Sequence, residues 1–432
     1  MRSINNLTVK VFRDKSSFLS LQKDWETLAS ESNQTVFMSY SWICSWWDIF
    51  GDNPNRKLFI HCVYENNEMV AIFPFFTGKS SLLGKETQKR IQLLGSGGNR
   101  NESLGFSDSY GYNDFLDILV KPGFEEKVAD FFFQLLDEDT FADYKLYLVN
   151  VSGESFIYNH LFPRFNSLNR SVNVEKSDTC PYIVLEGESD LASFIKNKDS
   201  GSVRRRLRQC LKAQKPETEN GYQITEVTSR DGVEKAINHI IELHQSRWNM
   251  LGYTGVFFDK RFVAFFSKIV FDAFDNKSLW LKHAVDDNGV CASRMLIKYN
   301  NRYYDYISGF SDSSPSSKYR PGIALLLDLI EDAIKQGVSR VELLRGAESY
   351  KFDFTDKAFS NYSVLISEHY KVKKKLEPLK SATRMLSFLY KHTNKEFQLM
   401  QVQYINHGLL KMPVSYAKFR AQRLKEKVYD DK

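Results

Sequence analysis

The sequence predicts two α/β domains in tandem, each a mixed α+β sheet flanked by helices. Three observations predict it. At 432 residues the chain exceeds one ordinary hydrophobic core and suits two domains of about 150 to 200 residues. LFIHCVYENNEMVAIF (58–73) aligns without a gap on LWLKHAVDDNGVCASR (279–294), so one unit is written twice. Around each segment the order strand, helix, hairpin, strand, helix, strand recurs.

The elements follow in order. LTVKVFRD (7–14) and YQITEVTSRD (222–231) alternate as strands, and each leads into an amphipathic helix. In the aligned segments, ENNE and DDNG supply the turn residues that a hairpin needs. KLYLVNV (145–151) and RVELLRG (340–346) are apolar strands, each following a helix. The clearest helix is PGIALLLDLIEDAIKQG (321–337). Pro321 suits its first turn and Gly337 its C-terminal cap, while Ile323, Leu326, Leu327, Ile330 and Ile334 share one apolar face. The division is a first domain over 1–180 and a connector over 181–220, followed by a second domain over 221–370 and a basic helical tail over 371–432. The connector holds strand PYIVLEG, helix DLASFIKNKD and the Arg-rich run SVRRRLRQ.

Composition narrows the class. Apolar residues make up 42% and charged residues 26%, as in ordinary globular proteins, and 33 Phe and 22 Tyr favour sheets with large buried rings. No apolar run reaches the roughly 18 residues of a membrane span, and MRSINNLTVKVF lacks the apolar region of a secretory signal. Cys44, Cys62, Cys180, Cys210 and Cys291 are scattered without ligand spacing, which argues against a zinc site or a disulfide framework. A reducing cytoplasmic location is the default. The net charge of +6 is uneven: residues 371–432 hold 15 Lys and Arg against 5 Asp and Glu. That basic tail suits contact with acidic lipid headgroups at the inner face of a membrane. No groove-reading or stacking element accompanies the charge, which argues against nucleic acid.

Chemistry concentrates in the second domain. In RYYDYISGFSDSSPSSKYRPGIALLLD (302–328) a strand ends near Gly309, a serine-rich loop follows, and a helix opens at Pro321-Gly322. Unpaired N–H groups and the positive helix-dipole end can hold a diphosphate there. Gly322 permits close approach, Ile323 and Ala324 complete the turn, and Lys318 and Arg320 add charge. In LLRGAESYKFDF (343–354) a buried strand runs into Arg345, Gly346, Glu348, Tyr350 and Lys351, a polar cluster at the open edge of a sheet. There Glu348 can take a proton from an acceptor and Tyr350 can return one to a leaving thiolate; Arg345 and Lys351 are substrate-binding candidates. Asp305, on the core strand, and His244, near a helix end, are further base candidates, though a plain structural histidine competes. Arg204, Arg205 and Arg206 can clamp a phosphate or an acidic acceptor, or form an exposed helix face. Arg247 and Trp248 adjoin His244. Trp42, Trp46 and Trp47, at helical spacing, read as packing rather than a sugar platform. GSGGNRNESLG (95–105) lacks the Lys-Ser/Thr of a phosphate-binding loop.

LRGAESYK resembles the strand-end signature of the CelD-like branch of GNAT acyltransferases, bacterial proteins tied to cellulose and other exopolysaccharide production. VFMSYSWICSWWDIF (36–50), SVRRRLRQ (202–209) and HQSRWNMLGYTGVFFD (244–259) resemble three more of its segments, in matching order over about residues 8 to 370. The resemblance implies a tandem GNAT architecture similar to FemAB-like proteins, with acetyl-CoA or another acyl-CoA as co-substrate and no metal. It also implies an amine or hydroxyl acceptor on a sugar, polysaccharide or cell-envelope precursor. GNAT enzymes bind the diphosphate at a Gln/Arg-x-x-Gly-x-Gly/Ala helix start. Here Tyr319 stands where Gln or Arg belongs, and Arg320 is one place late. The first copy lacks the Arg-Gly-x-Glu-x-Tyr-Lys run, and so reads as a supporting, acceptor-binding half. Two rivals remain: a FemAB-like transferase fed by aminoacyl-tRNA, and an inactive GNAT-fold scaffold in polysaccharide assembly.

Overall fold

A computed structural model describes residues 2–4, 6–51, 54–82, 85–97, 112–137, 141, 144–214 and 218–367. The basic tail and most of the 95–105 loop lie outside the described residues.

The first copy opens with strands β1 (Arg2–Ile4) and β2 (Leu7–Phe12) and helices α1 (Lys15–Leu19), α2 (Gln22–Glu31) and α3 (Tyr40–Trp46). Strand β3 (Arg56–Leu58) precedes the expected hairpin, β4 (Ile60–Glu65) and β5 (Glu68–Phe73). A second hairpin follows, β6 (Phe75–Leu82) and β7 (Lys85–Leu93), then β8 (Leu119–Val120), α4 (Glu125–Leu136) and β9 (Lys145–Ser152). The long β10 (Ser171–Val184) leads to α5 (Leu191–Lys196) and α6 (Gly201–Lys212). The second copy comprises β11 (Gln223–Glu226), α7 (Arg230–Met250), α8 (Lys260–Asp275), β12 (Leu279–Asp286), β13 (Gly289–Tyr299), β14 (Arg302–Phe310), α9 (Pro321–Lys335), β15 (Arg340–Glu342) and β16 (Ala358–Ser367).

The duplication is visible in the pairing. One sheet runs β1-β2-β4-β5-β8, and a parallel bridge from Leu116 to Val151 links it to β9. The second copy repeats this as β11-β12-β13-β14-β15, antiparallel until β14 meets β15 in parallel. Both hairpins slip register at the same aligned place, Val63/Tyr64 in β4–β5 and Ala284/Val285 in β12–β13. In the first turn Asn66 and Asn67 take the left-handed backbone that a tight hairpin demands.

The sequence boundary at 180/181 falls inside a strand. β10 pairs with β16 through Ser171–Pro181 and with β15 through Tyr182–Val184, and β16 then pairs with β9 of the first copy. One sheet of 11 strands therefore joins the copies, in the order β11-β12-β13-β14-β15-β10-β16-β9-β7-β6-β3. The tryptophan segment packs this junction. Trp42 meets Phe265 and Tyr306 of the second copy edge-on, Trp46 is fully buried, and Trp42 Nε1 donates to Asn113 Oδ1. No helix among the described residues is long and apolar enough to cross a membrane.

Candidate active site

Two strands part beneath a helix start. The β14–β15 ladder has three pairs and ends at Tyr304–Glu342. Past it, Ser311 N–H still donates to Cys291 O, so β14 stays with β13. On the other bank Leu343 and Gly346 N–H donate to Pro181 and Thr179 O, so the chain follows β10 instead. A wedge-shaped gap opens between them. At its apex Tyr306 of β14 has no partner between the pairs Asp305–Leu296 and Ile307–Met295, a bulge that leaves the ladder locally unpaired. Leu344 on the opposite bank holds φ 59°, a strained value for a branched residue.

Helix α9 begins over this gap. Its N-cap Arg320 is left-handed (φ 53°), no side chain caps the first turn, and no carboxylate lies in that turn. The Arg320 carbonyl accepts from Ile323 and Ala324 N–H, while Gly322 N–H makes no hydrogen bond among the described residues. A Cβ at Gly322 would come only to ordinary contact with Phe310, at 3.5 Å. Packing within the protein therefore does not require this glycine. The preceding loop is pinned by Asp286, whose carboxylate accepts from Ser314 Oγ and, at 2.8 Å, from Ser316 Oγ. The structure thus delivers an uncapped amide, on a half-buried glycine, at the start of a 15-residue helix, flanked by the exposed Lys318 and Arg320.

Under the helix start lies a buried ion pair, Arg294 with Asp305. Arg294 also donates to the Gly322 carbonyl at 3.1 Å, tying the pair to the turn above. Burial pushes the Asp305 carboxyl up, against the opposing pull of Arg294 and Lys351. Burial likewise pushes the nearby Tyr350 up to about 12, with Arg294 opposing and Asp305 and Glu348 adding, so it is a phenol at neutral pH.

Residues 201–352 match the family model described as an acetyltransferase (GNAT) domain, a span that includes the gap, the helix start and the strand-end cluster. The chain is an acyltransferase. Among curated proteins none matches it in sequence. Among solved structures it is similar to FemX, at 7% identity and TM-score 0.54, covering 85% of this chain and 99% of that one. It is also similar to a conserved protein of unknown function from Bacteroides thetaiotaomicron VPI-5482. That match has 9% identity and TM-score 0.50, covering 84% of this chain and 100% of that one. At such identities the likeness is one of fold.

The acyltransferase brings some of the sequence candidates together and keeps others apart. Asp305, Tyr350, Glu348 and Lys351 converge. Lys351 is buried, with its ammonium 2.9 Å from Glu348 Oε2 and 2.9 Å from Arg345 O, further donating to Leu344 and Gly346 O. It therefore closes the loop after β15 on itself. Arg345 Nε lies 3.2 Å from Asp114 Oδ1 of the first copy. Tyr319 hydroxyl donates to Glu219 O at 3.3 Å, and Lys318 lies over its ring. Arg206 pairs with Asp353 at 2.5 Å, Arg204 donates to Lys198 and Asp199 O, and Arg205 is exposed. Burial raises Cys210 on α6 to about 11 while Arg320 and Arg206 pull it down, which puts the Arg-rich helix beside the start of α9.

His244 stands farther along, beside Gly309 at the end of β14, where an added Cβ would strike the His244 backbone N at 2.9 Å. Its Nε2 accepts from Trp248 Nε1 at 2.9 Å, and burial pushes it down to about 4, so the ring is neutral and engaged. Arg247 covers the Phe310 ring and pairs with Asp312. Sequence reasoning missed Arg294 and Asp114. Each carried a signal: an arginine inside the apolar run VCASRMLI, and a carboxylate inside NDFLDILV, need buried partners.

Proposed function

We propose that the chain moves an acyl group from acyl-CoA directly to an amine or hydroxyl of a sugar, polysaccharide or cell-envelope precursor. The observation that carries this is the uncapped start of α9 over a sheet that parts at Tyr304–Glu342. Gly322 N–H and the helix dipole hold the diphosphate, Lys318 and Arg320 neutralise it, and the thioester enters the gap. The bulge at Tyr306 leaves main-chain polarity to steady the developing oxyanion. Tyr350 serves the leaving sulfur as a hydrogen-bond donor. Full proton transfer from a phenol near 12 to a thiolate near 8.5 would be uphill by roughly 5 kcal/mol.

The first copy is the supporting half. Its helix start at α4 carries Glu125 and Glu126, and Gly123 N–H already donates to Glu125 Oε2 at 2.9 Å, so a diphosphate would meet carboxylates there. A polar cavity of about 230 Å³ lies at that end, lined among others by Gln34, Phe115, Asp117, Ser155, Arg302 and Glu342. Its size and mixed hydroxyl, amide and charged lining suit a hydroxylated or amino acceptor. The segments that resemble the CelD-like branch favour an exopolysaccharide acceptor. The basic tail fits work at the inner membrane surface. Isothermal titration with acetyl-CoA tests the proposal: saturable binding in the micromolar range is expected. No heat at millimolar acetyl-CoA would favour the scaffold or the tRNA-fed reading.

A further inference from the structure

We infer that the first copy completes the active site, and that Asp114 is the base that takes the acceptor's proton at the gap. The inference rests on the acyl-transfer reading above. The segment that carries Asp114 touches both banks of the gap. Tyr306, the bulged residue on β14, donates its hydroxyl to the carbonyl of Tyr112, two residues before Asp114, at 3.1 Å. On the other bank Asp114 Oδ1 faces Arg345 Nε at 3.2 Å.

Its neighbour on the same segment before β8 supplies the contrast. Asp117 is equally buried, but its two oxygens accept from Phe156 and Ile157 N–H at 2.8 and 3.1 Å, so it is spent on the turn after β9. Asp114 Oδ1 is buried with no hydrogen-bond partner among the described residues, beyond the charge contact with Arg345. Between the two, Phe115 holds φ 52°, a left-handed value that is costly for a bulky residue. Asp305 Oδ1 and Asp178 Oδ2 are likewise buried without a hydrogen-bond partner among the described residues, so position rather than vacancy separates Asp114 from them. Asp305 is sealed against Arg294 beneath α9, and Glu348 is tied to Lys351.

The groups that face Asp114 are Arg345 and Lys351 from the loop after β15, Asp178 and Cys180 from β10, and Tyr306 from β14. Burial raises its basicity and Asp178 adds to it, while Arg345 and Lys351 keep the carboxylate form accessible. In the step, the acceptor N–H or O–H proton passes to an Asp114 oxygen as the acceptor atom bonds to the acyl carbon. The carbon–sulfur bond breaks, and CoA leaves as a thiolate that takes a proton from solvent. Asp114 then returns its proton to solvent.

The test uses the full chain, acetyl-CoA, and glucosamine or water as acceptor, followed by thiol release. Asp114→Asn is expected to lower kcat/KM with glucosamine about 100-fold or more, the usual range for a lost general base, while acetyl-CoA affinity stays within about twofold. With water as acceptor, the native rate should rise with pH through an acid limb that Asp114→Asn abolishes. Arg345→Gln should keep activity within about tenfold and move that limb to higher pH, because a neighbouring cation is gone. The inference is overturned if the limb survives in Asp114→Asn. It is also overturned if both variants lose rate and melting temperature equally, as a mere bridge between copies would. Native protein that binds acetyl-CoA but releases no thiol with either acceptor would overturn it too. Failure to bind acetyl-CoA would instead strike the acyl-transfer reading itself.

Discussion

Replacing Arg294 by Met should be costly in a way that pH reveals. The side chain lies under the start of α9 and is 2% exposed, and its partner Asp305 is 9% exposed. Removing the guanidinium leaves Asp305 either charged and unpaired or protonated. The first outcome costs about 3–5 kcal/mol. The second costs the work of protonating at pH 7 a carboxyl that titrates near 3.9 when unfolded, about 4 kcal/mol. The two routes agree, so a loss of about 3–5 kcal/mol is expected at pH 7. In the variant the folded pKa lies above the unfolded one, so stability is fully present below the unfolded pKa and falls as pH rises. At pH 5 the protonation work is only about 1.5 kcal/mol, and the deficit should shrink accordingly. The double variant Arg294→Met with Asp305→Leu should recover most of the stability, because buried pairs are often replaceable by apolar side chains. It should not recover acetyl-CoA affinity, since the hold on the Gly322 carbonyl is lost in both. Urea denaturation at pH 7 and pH 5, paired with acetyl-CoA titration, reads all of this. A single variant within about 1 kcal/mol of native at pH 7, or a deficit that grows on acidification, would refute the reasoning.

Two further outcomes follow from the geometry. Gly322→Asp should fold normally, because the added Cβ meets Phe310 only at ordinary contact, yet weaken acetyl-CoA binding about 100-fold. Two unit charges about 5 Å apart at an effective dielectric near 20 repel by about 3 kcal/mol, and titration in low and high salt checks that the loss is electrostatic. His61 is buried among Phe59, Phe75 and Phe141, and burial holds it down to about 4. A folded pKa below the unfolded value of about 6.5 gives stability that is present above 6.5 and lost as pH falls toward 4. His61→Gln should therefore gain about 2 kcal/mol relative to native between pH 7 and pH 5, measured by denaturation at the two values. An unchanged difference would show that the ring is not held neutral.

Much of the fold was legible because it is written in local patterns. The hairpin turns ENNE and DDNG, the Pro321 start and the Gly337 stop are short-range signals, and Gly337 does take the left-handed backbone (φ 66°) that ends α9. The pairing of β10 with β16 was not legible, because nearly 190 residues separate strands whose register no periodicity records. The polar hairpin β6–β7 was missed for lack of an alternating apolar face. At the site, sequence reading found the helix start and the strand-end cluster. It could not see that Lys351 turns inward onto its own loop, or that Arg345 reaches Asp114 across the copies. Those depend on side-chain direction and on a contact spanning the junction, which neither spacing nor composition encodes.

The central claim is that main-chain polarity at Gly322 grips the diphosphate of an acyl-CoA whose thioester lies between β14 and the chain after β15. A crystal structure of the acetyl-CoA complex measures this directly. The account predicts diphosphate oxygens within hydrogen-bond distance of Gly322 N, and the thioester carbonyl between Tyr306 and Leu344. A diphosphate bound elsewhere, or at the acidic start of α4, would contradict it.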